Sequence, residues 1–320
     1  MLLKPIIQAE QFAALAQAQI GVFASTEWLS IYGDRLQMVG IYSDDQQLIG
    51  AFYFLRVKKF GLSFIKLPPY TPHCALSYRH DSKNPATALS FTKEVIQSIC
   101  AYLAEQKFSI CVLAFPAHIQ DMQPFFWNGF KVVPNYTYRI NLEQNLAQIQ
   151  RNFDSKNRNA INKALKENVT VQENVLSNEK LYDYFSDTLH KAGANVYEAE
   201  LKAIFVNFAA NDNSFAMHAL HEDKIIGTVF CVYDKTTCYY LLAGIDKSFK
   251  IQGINNLLVF KCIEKAKSLG CSVFDFEGSM LKGVEKFFRS FGPTMHPYYT
   301  VNKANIFLEM ALKLKKRATF

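Results

Sequence analysis

Apolar and polar positions alternate along this chain in an order that recurs. A helix-like stretch, PIIQAEQFAALAQAQ, opens the first half, and FASTEWLSIYG follows it. QMVGIYS and LIGAFYFLRVKKF, rich in β-branched and aromatic residues and joined by the polar DDQQ, predict two strands. The proline-rich KLPPYTPHCALSY cannot be a central strand, because proline donates nothing to a ladder. NPATALSFTKEVIQSICAYLAEQK predicts an amphipathic helix with Asn84 as cap and Pro85 in the first turn. A buried strand (FSICVLAFP), a short helix (AHIQDMQPFFWNGF) and closing strands (KVVPNYTYRINL) come next.

The second half repeats this order. Helical EKLYDYFSDTLHKAG and EAELKAIFVNFAAN precede strands FAMHALHED, KIIGTVFCVYD and TCYYLLAGID. The helix GINNLLVFKCIEKAKSLG leads to the strand CSVFDFEG, the helix GVEKFFRSFG and the strand-like MHPYYTVNK. FFWNGFKVVPNYTYRI and FFRSFGPTMHPYYTV are similar by residue. Two copies of one mixed α/β unit account for this order, with domains expected at 1–145 and 146–320. The length of 320 residues agrees, at roughly 100–200 residues per domain.

Composition narrows the class. Half of the residues are hydrophobic and 14% aromatic, enough for packed cores. No apolar run approaches the ~20 residues that span a bilayer. MLLKPIIQAEQFAALAQAQ lacks the pattern of a secretory leader, so a soluble, cytoplasmic protein is expected. The seven cysteines contain no C-x-x-C pair; Cys100, Cys111, Cys231 and Cys262 read as reduced core thiols. His218 and His221, three apart in a strand, fall on opposite faces and do not share a metal. No metal and no permanently bound cofactor is expected. The net charge of +7 favours anionic partners: phosphates, coenzymes, tRNA or an acidic membrane surface, with DNA not expected. The basic end ALKLKKRATF is the candidate for peripheral membrane contact.

Between the repeats lies a polar, basic segment read as helical, with Ile161, Ala164 and Leu165 facing inward. Within it, SKNRNAINKALKENVTVQ resembles the R-x-x-I-x-K-A motif of the FemAB-like peptidyltransferases and their relatives in the GNAT acyltransferase superfamily. FDFEGSMLKGVEKFFRSFG resembles that family's D-F-x-G-S strand end followed by G-x-x-x-F-x-x-x-F-G. The resemblance implies tandem GNAT-like domains and transfer of an acyl group to an amine. Acyl-CoA is the expected co-substrate and an anionic amine-bearing small molecule, lipid or cell-wall precursor the acceptor. Two alternatives remain: aminoacyl-tRNA as donor, and a non-catalytic binding module on the same fold. The sequence departs from tRNA-using members, since 177–211 is too short for their coiled-coil arm and lacks sustained heptads.

The resemblance also assigns candidate residues. LAGIDKSFKIQGINNLLVF supplies a strand end at Gly244 and a helix opened by Gly253, preceded by Lys247, Lys250 and Gln252. Free amides there, at Gly253, Ile254 and Asn255, would hold a pyrophosphate, because a helix N-terminus has unpaired donors. Asn255 stands where the superfamily's second small residue belongs. Strand alternation puts Asp275 and Glu277 on one side; Glu277 is the first candidate general base and Asp275 the second. Either could instead pair with Lys282, Lys286 or Arg289. Tyr239 and Tyr240 lie where the fold opens for the acyl group, as channel lining, donor to the leaving thiolate, or core. Arg158, Lys163, Lys156, Lys282 and Arg289 are candidates for the anionic acceptor or donor. The aromatic face Val284, Phe287, Phe288 and Phe291 is expected to be core. The first domain, lacking a glycine-rich loop, is expected to be catalytically degenerate, with Trp28 at its base and Tyr70, His73 and Tyr136 as acceptor lining.

Overall fold

The computed structural model describes residues 1–315 apart from Ile7 and Ser279; the end of the ALKLKKRATF stretch lies outside the described residues. In chain order the elements are β1 (Leu2–Ile6), α1 (Ala9–Ile20), α2 (Thr26–Ser30), β2 (Leu36–Tyr42), β3 (Leu48–Lys59), β4 (Leu62–Lys66), β5 (Ser77–Tyr78), α3 (Pro85–Glu105), β6 (Ile110–Ala114), α4 (Gln123–Trp127) and β7 (Lys131–Asn141). They continue with α5 (Leu146–Asn152), α6 (Ser155–Lys166), β8 (Thr170–Glu173), α7 (Asn178–Lys191), α8 (Glu198–Ala203), β9 (Ser214–His221), β10 (Lys224–Tyr233), β11 (Thr237–Ile245), α9 (Ile254–Ser268), β12 (Val273–Asp275), α10 (Lys282–Arg289), β13 (Thr294–Ala304) and α11 (Ile306–Lys315). No helix among the described residues is long and apolar enough to cross a membrane.

The elements form two compact units, Met1–Asn135 with Pro297–Phe320, and Tyr136–His296. In the first, β1, β2, β3 and β4 pair antiparallel in turn, and β6 joins β4 in parallel. β6 is then completed by Thr300–Ala304 of β13. α3 starts where expected, with the Asn84 side chain accepting from the Ala86 and Thr87 amides. It contributes Val95, Ile96, Ile99 and Leu103 to one buried cluster with Val39, Phe52, Phe54 and Leu113.

β1 and β4 of this unit were not foreseen, nor was the two-residue β5. Leu2–Ile6 is a strand rather than the start of a helix; it lies at the sheet edge, where Pro5 is tolerated. β4 follows β3 through the two-residue turn Phe60–Gly61, with φ of 50° and 74°, which suits a hairpin's twist. Phenylalanine at the first position hid that signal.

In the second unit, β8, β9, β10 and β11 pair antiparallel in turn, β12 joins β11 in parallel, and Arg139–Asn141 of β7 completes β12. The chain therefore changes unit between Asn135 and Tyr136 and again between His296 and Pro297, not at 145/146. The reason lies in strand pairing: the strand after each short aromatic helix is shared out by residue, and local pattern carries no information on which sheet takes it. α6 and α9 pack Ile161, Ala164, Leu258 and Cys262 with Val229 and Cys231 of the sheet. On α7, Phe185 stacks on Phe205, which meets Phe230 of β10. All seven cysteines are buried and free.

Candidate functional site

β11 and β12 run together only for three residue pairs, ending at Tyr239 and Asp275. Beyond them β11 stays with β10, Gly244 facing Thr228 and Ile245 facing Gly227. The chain after β12 instead stays with β7: the Phe276 amide donates to the Tyr138 carbonyl at 3.0 Å. Gly278, at φ 71°, lies so close to the Tyr136 carbonyl that a Cβ would be 2.0 Å from it. The two strands thus part after Tyr239 and Asp275.

Glu277 sits in this parting. Its backbone is left-handed, φ 57°, which ends strand alternation. The two carboxylates do not form the same-face pair expected of a regular strand. A non-glycine residue held there stores roughly 1–3 kcal/mol of strain. The Glu277 Oε1 is buried with no hydrogen-bond partner among the described residues. Burial first, and the Asp275 carboxylate second, push its pKa well above the usual range. Asp275 is 3% exposed and fully engaged: Arg139 Nε donates to Oδ2 at 2.7 Å, the Thr137 hydroxyl to Oδ1, and the Glu277 amide to Oδ1 at 2.8 Å. Asp275 thus fixes the backbone that presents Glu277. The expected partners of these carboxylates are elsewhere. Lys282 is exposed, and Arg289 Nε pairs with Glu285 at 2.7 Å on its own helix.

Tyr240 is 9% exposed, with its ring centroid 6.0 Å from Phe276 and 5.8 Å from Phe288. Its hydroxyl donates to Asn255 Oδ1 at 3.3 Å, and burial raises its pKa. It packs one side of the parting, and Asn255 is drawn into that contact. Tyr239 is buried enough to raise its pKa as well. Phe288 and Phe291 are core as expected, whereas Val284 is exposed.

The opening of α9 is more crowded than expected. Gly253 caps it at φ 85°, and a Cβ there would lie 2.0 Å from the Ala160 carbonyl oxygen of α6. Ile254 is core, 2% exposed. Lys163 Nζ donates to Gln252 Oε1 at 2.9 Å, and Lys250 is exposed. The Gly244 carbonyl accepts from the Tyr184 hydroxyl at 2.8 Å, and a Cβ at Gly244 would crowd Tyr184 and Thr188 at 2.9 Å. Gly244 is therefore packed under α7.

Beside this junction α6 bounds a concavity lined by Lys156, Asn159, Asn162, Lys163, Lys166 and Gln252. Leu165, expected to face inward, is 50% exposed and also lines it. The inward place is taken by Asn157, 2% exposed, which donates to Ser290 Oγ at 2.9 Å and accepts from Asn256 Nδ2 at 3.1 Å. Its polar character disguised a core position. Arg158 does not line the concavity. Its Nη1 donates to the Arg151 carbonyl at 3.2 Å and to that of Phe153, closing the end of α5. In the first unit, Trp28 is fully buried and donates to Thr71 Oγ1 at 3.1 Å. His73 Nδ1 accepts from the Ala75 amide at 3.3 Å, and Tyr70 is half-buried.

Residues 151–289 match the family model described as an acetyltransferase (GNAT) domain. No curated protein matches the chain in sequence. Among solved structures, FemX is similar at a TM-score of 0.62 and 12% identity, over 98% of this chain and 99% of that one. The C-terminal domain of a putative lysylphosphatidylglycerol synthetase from Agrobacterium fabrum gives 0.59 and 10%, over 95% and 94%. A tandem GNAT protein from the clavulanic acid biosynthesis pathway gives 0.57 and 7%, over 94% and 98%. Residues 151–289 are thus similar to a GNAT domain, and the chain shares its fold with FemX and a tandem GNAT protein.

Proposed function

We propose that this GNAT-fold transferase moves an acyl group from acyl-CoA to an amine of an anionic acceptor. The observation that carries this reading is the parting of β11 from β12, with the buried Glu277 Oε1 beside it lacking a hydrogen-bond partner among the described residues. A thioester carbonyl set in the parting would face the edge of β11 that β12 leaves beyond Tyr239, whose backbone amides could donate to the developing oxyanion. The amine attacks the carbonyl carbon, the new C–N bond forms and the C–S bond breaks. Glu277 takes the proton that the amine sheds, and the thiolate of CoA leaves and is protonated. A carboxyl whose pKa is raised by burial is a stronger base than an ordinary carboxylate, which suits this exchange. The lysines of the α6 concavity, next to the crowded α9 opening, supply charge for the phosphates of the donor.

In the first unit the corresponding gap is closed. The Cys74 carbonyl accepts from the Tyr53 amide of β3 and the Cys74 amide donates to the Ala114 carbonyl of β6, both at 2.9 Å. This supports a first unit without a donor site.

Thermal shift with CoA, acetyl-CoA and longer acyl-CoAs tests the reading. A ligand at about 100 times its Kd adds about 2.7 kcal/mol of stability and raises Tm. Lys156→Glu with Lys163→Glu should abolish the shift. No shift with any coenzyme sinks the acyl-CoA donor, and a shift with charged tRNA alone favours the aminoacyl-tRNA reading. Binding without release of free thiol in the presence of amines would leave a binding module.

A further inference from the structure

One end of the first unit's sheet collects exposed apolar side chains among lysines. Three strands are tied there: the Ser109 amide donates to the Ser63 carbonyl at 2.7 Å, and the Asn305 amide to the Ser109 carbonyl at 2.9 Å. From this end the Phe60–Gly61 turn projects out of β3 and β4, and α11 departs from β13. Phe60 is 89% exposed. On α11, Ile306, Phe307, Met310 and Leu314 are 70%, 78%, 56% and 89% exposed. Their spacing, with 306, 310 and 314 four apart, sets them along one side of the helix, away from the half-buried Leu308 and Leu312.

The charges at this end are mostly positive. Lys58 and Lys59 precede the turn, Lys107 precedes β6, and all three are exposed. Lys59 Nζ lies 5.3 Å from the centre of the Phe60 ring, so cation and aromatic project together. Lys313 on α11 pairs with Glu309 at 2.7 Å, and α3 ends at Glu105.

We propose that this end of the unit docks on the surface of an anionic lipid bilayer. Phe60 and the outward face of α11 would enter the boundary between headgroups and acyl chains, with Lys58, Lys59 and Lys107 at the level of the lipid phosphates. Charge complementarity selects this partner. Isolated aromatics on a turn and a helix, separated by lysines, fit a surface that is apolar below and negative above.

Co-flotation of the full chain with vesicles tests it, using phosphatidylcholine alone or with added phosphatidylglycerol. Binding is expected only with phosphatidylglycerol and should weaken with salt. Lys58→Glu and Lys59→Glu should each weaken it at least about fivefold, at about 1 kcal/mol per lysine near an anionic surface. Phe60→Ser with Phe307→Ser should abolish it. Because these side chains are exposed, Tm should not change, which separates loss of docking from loss of folding. Failure to float with phosphatidylglycerol vesicles, or equal flotation of parent and variants, overturns the proposal. So does self-association in ultracentrifugation that Phe60→Ser with Phe307→Ser abolishes, since the face would then join two copies of the chain.

Discussion

Gly253→Ala tests how closely α6 and α9 approach. Gly253 and Gly270 bound α9 and share φ 85°. Alanine at either position must adopt a left-handed backbone, at roughly 1–2 kcal/mol. Alanine also restricts the unfolded chain similarly at both positions, so that contribution cancels in the comparison. The sites differ in what a Cβ would meet. At Gly270 there is nothing within 4 Å, whereas at Gly253 the Ala160 oxygen is 2.0 Å away and its carbonyl carbon 2.5 Å. Those are backbone atoms and cannot rotate aside, so α6 must shift. Overpacking of this kind adds roughly 1–3 kcal/mol. Urea unfolding of the two variants should give similar m values, with a lower midpoint for Gly253→Ala. The difference should equal the overpacking energy. Equal losses would show that α6 does not press on the opening of α9, and the account of the crowded junction would fall.

Glu277→Gln should act in opposite directions on turnover and stability. As general base, Glu277 should be worth roughly 10²–10⁴ in rate. Its folded-state pKa is raised, so the fold loses stability as pH rises above the ordinary carboxyl value of 4.5, and glutamine removes that loss. The variant should melt with the parent at low pH and above it at neutral pH; equal melting throughout refutes a buried, penalised carboxyl. His218, fully buried with Nδ1 3.1 Å from Thr228 Oγ1, has its pKa lowered by burial from 6.5 to about 4. Protonating it therefore costs stability as pH falls from 6.5 toward 4, up to about 3 kcal/mol. In His218→Gln the stability curve should be flatter across that window, and an unchanged slope contradicts the assignment.

What was legible in the amino-acid order was local. Asn84 and Pro85 marked the start of α3, Gly253 the start of α9, and Phe288 with Phe291 the buried positions on and just after α10. The duplicated order of elements carried the tandem fold. Each rests on spacing or on a residue's own conformational preference, which neighbours in the chain express.

Contacts between distant segments were decided by the tertiary structure. Period assigned Leu165 inward, and the packing of α6 on α9 leaves it exposed, while the polar Asn157 is buried against Ser290 and Asn256. Arg158 looked like a ligand for an anion until the end of α5 claimed its guanidinium. Asp275 and Glu277 looked like a matched pair because alternation assumes a regular strand, and the left-handed turn at Glu277 ends it. The pairing of β6 with β13 and of β12 with β7 joins residues more than a hundred positions apart. Side-chain period reports which face a residue takes along its own element; which strand, helix or charge meets that face is a property of the assembled chain.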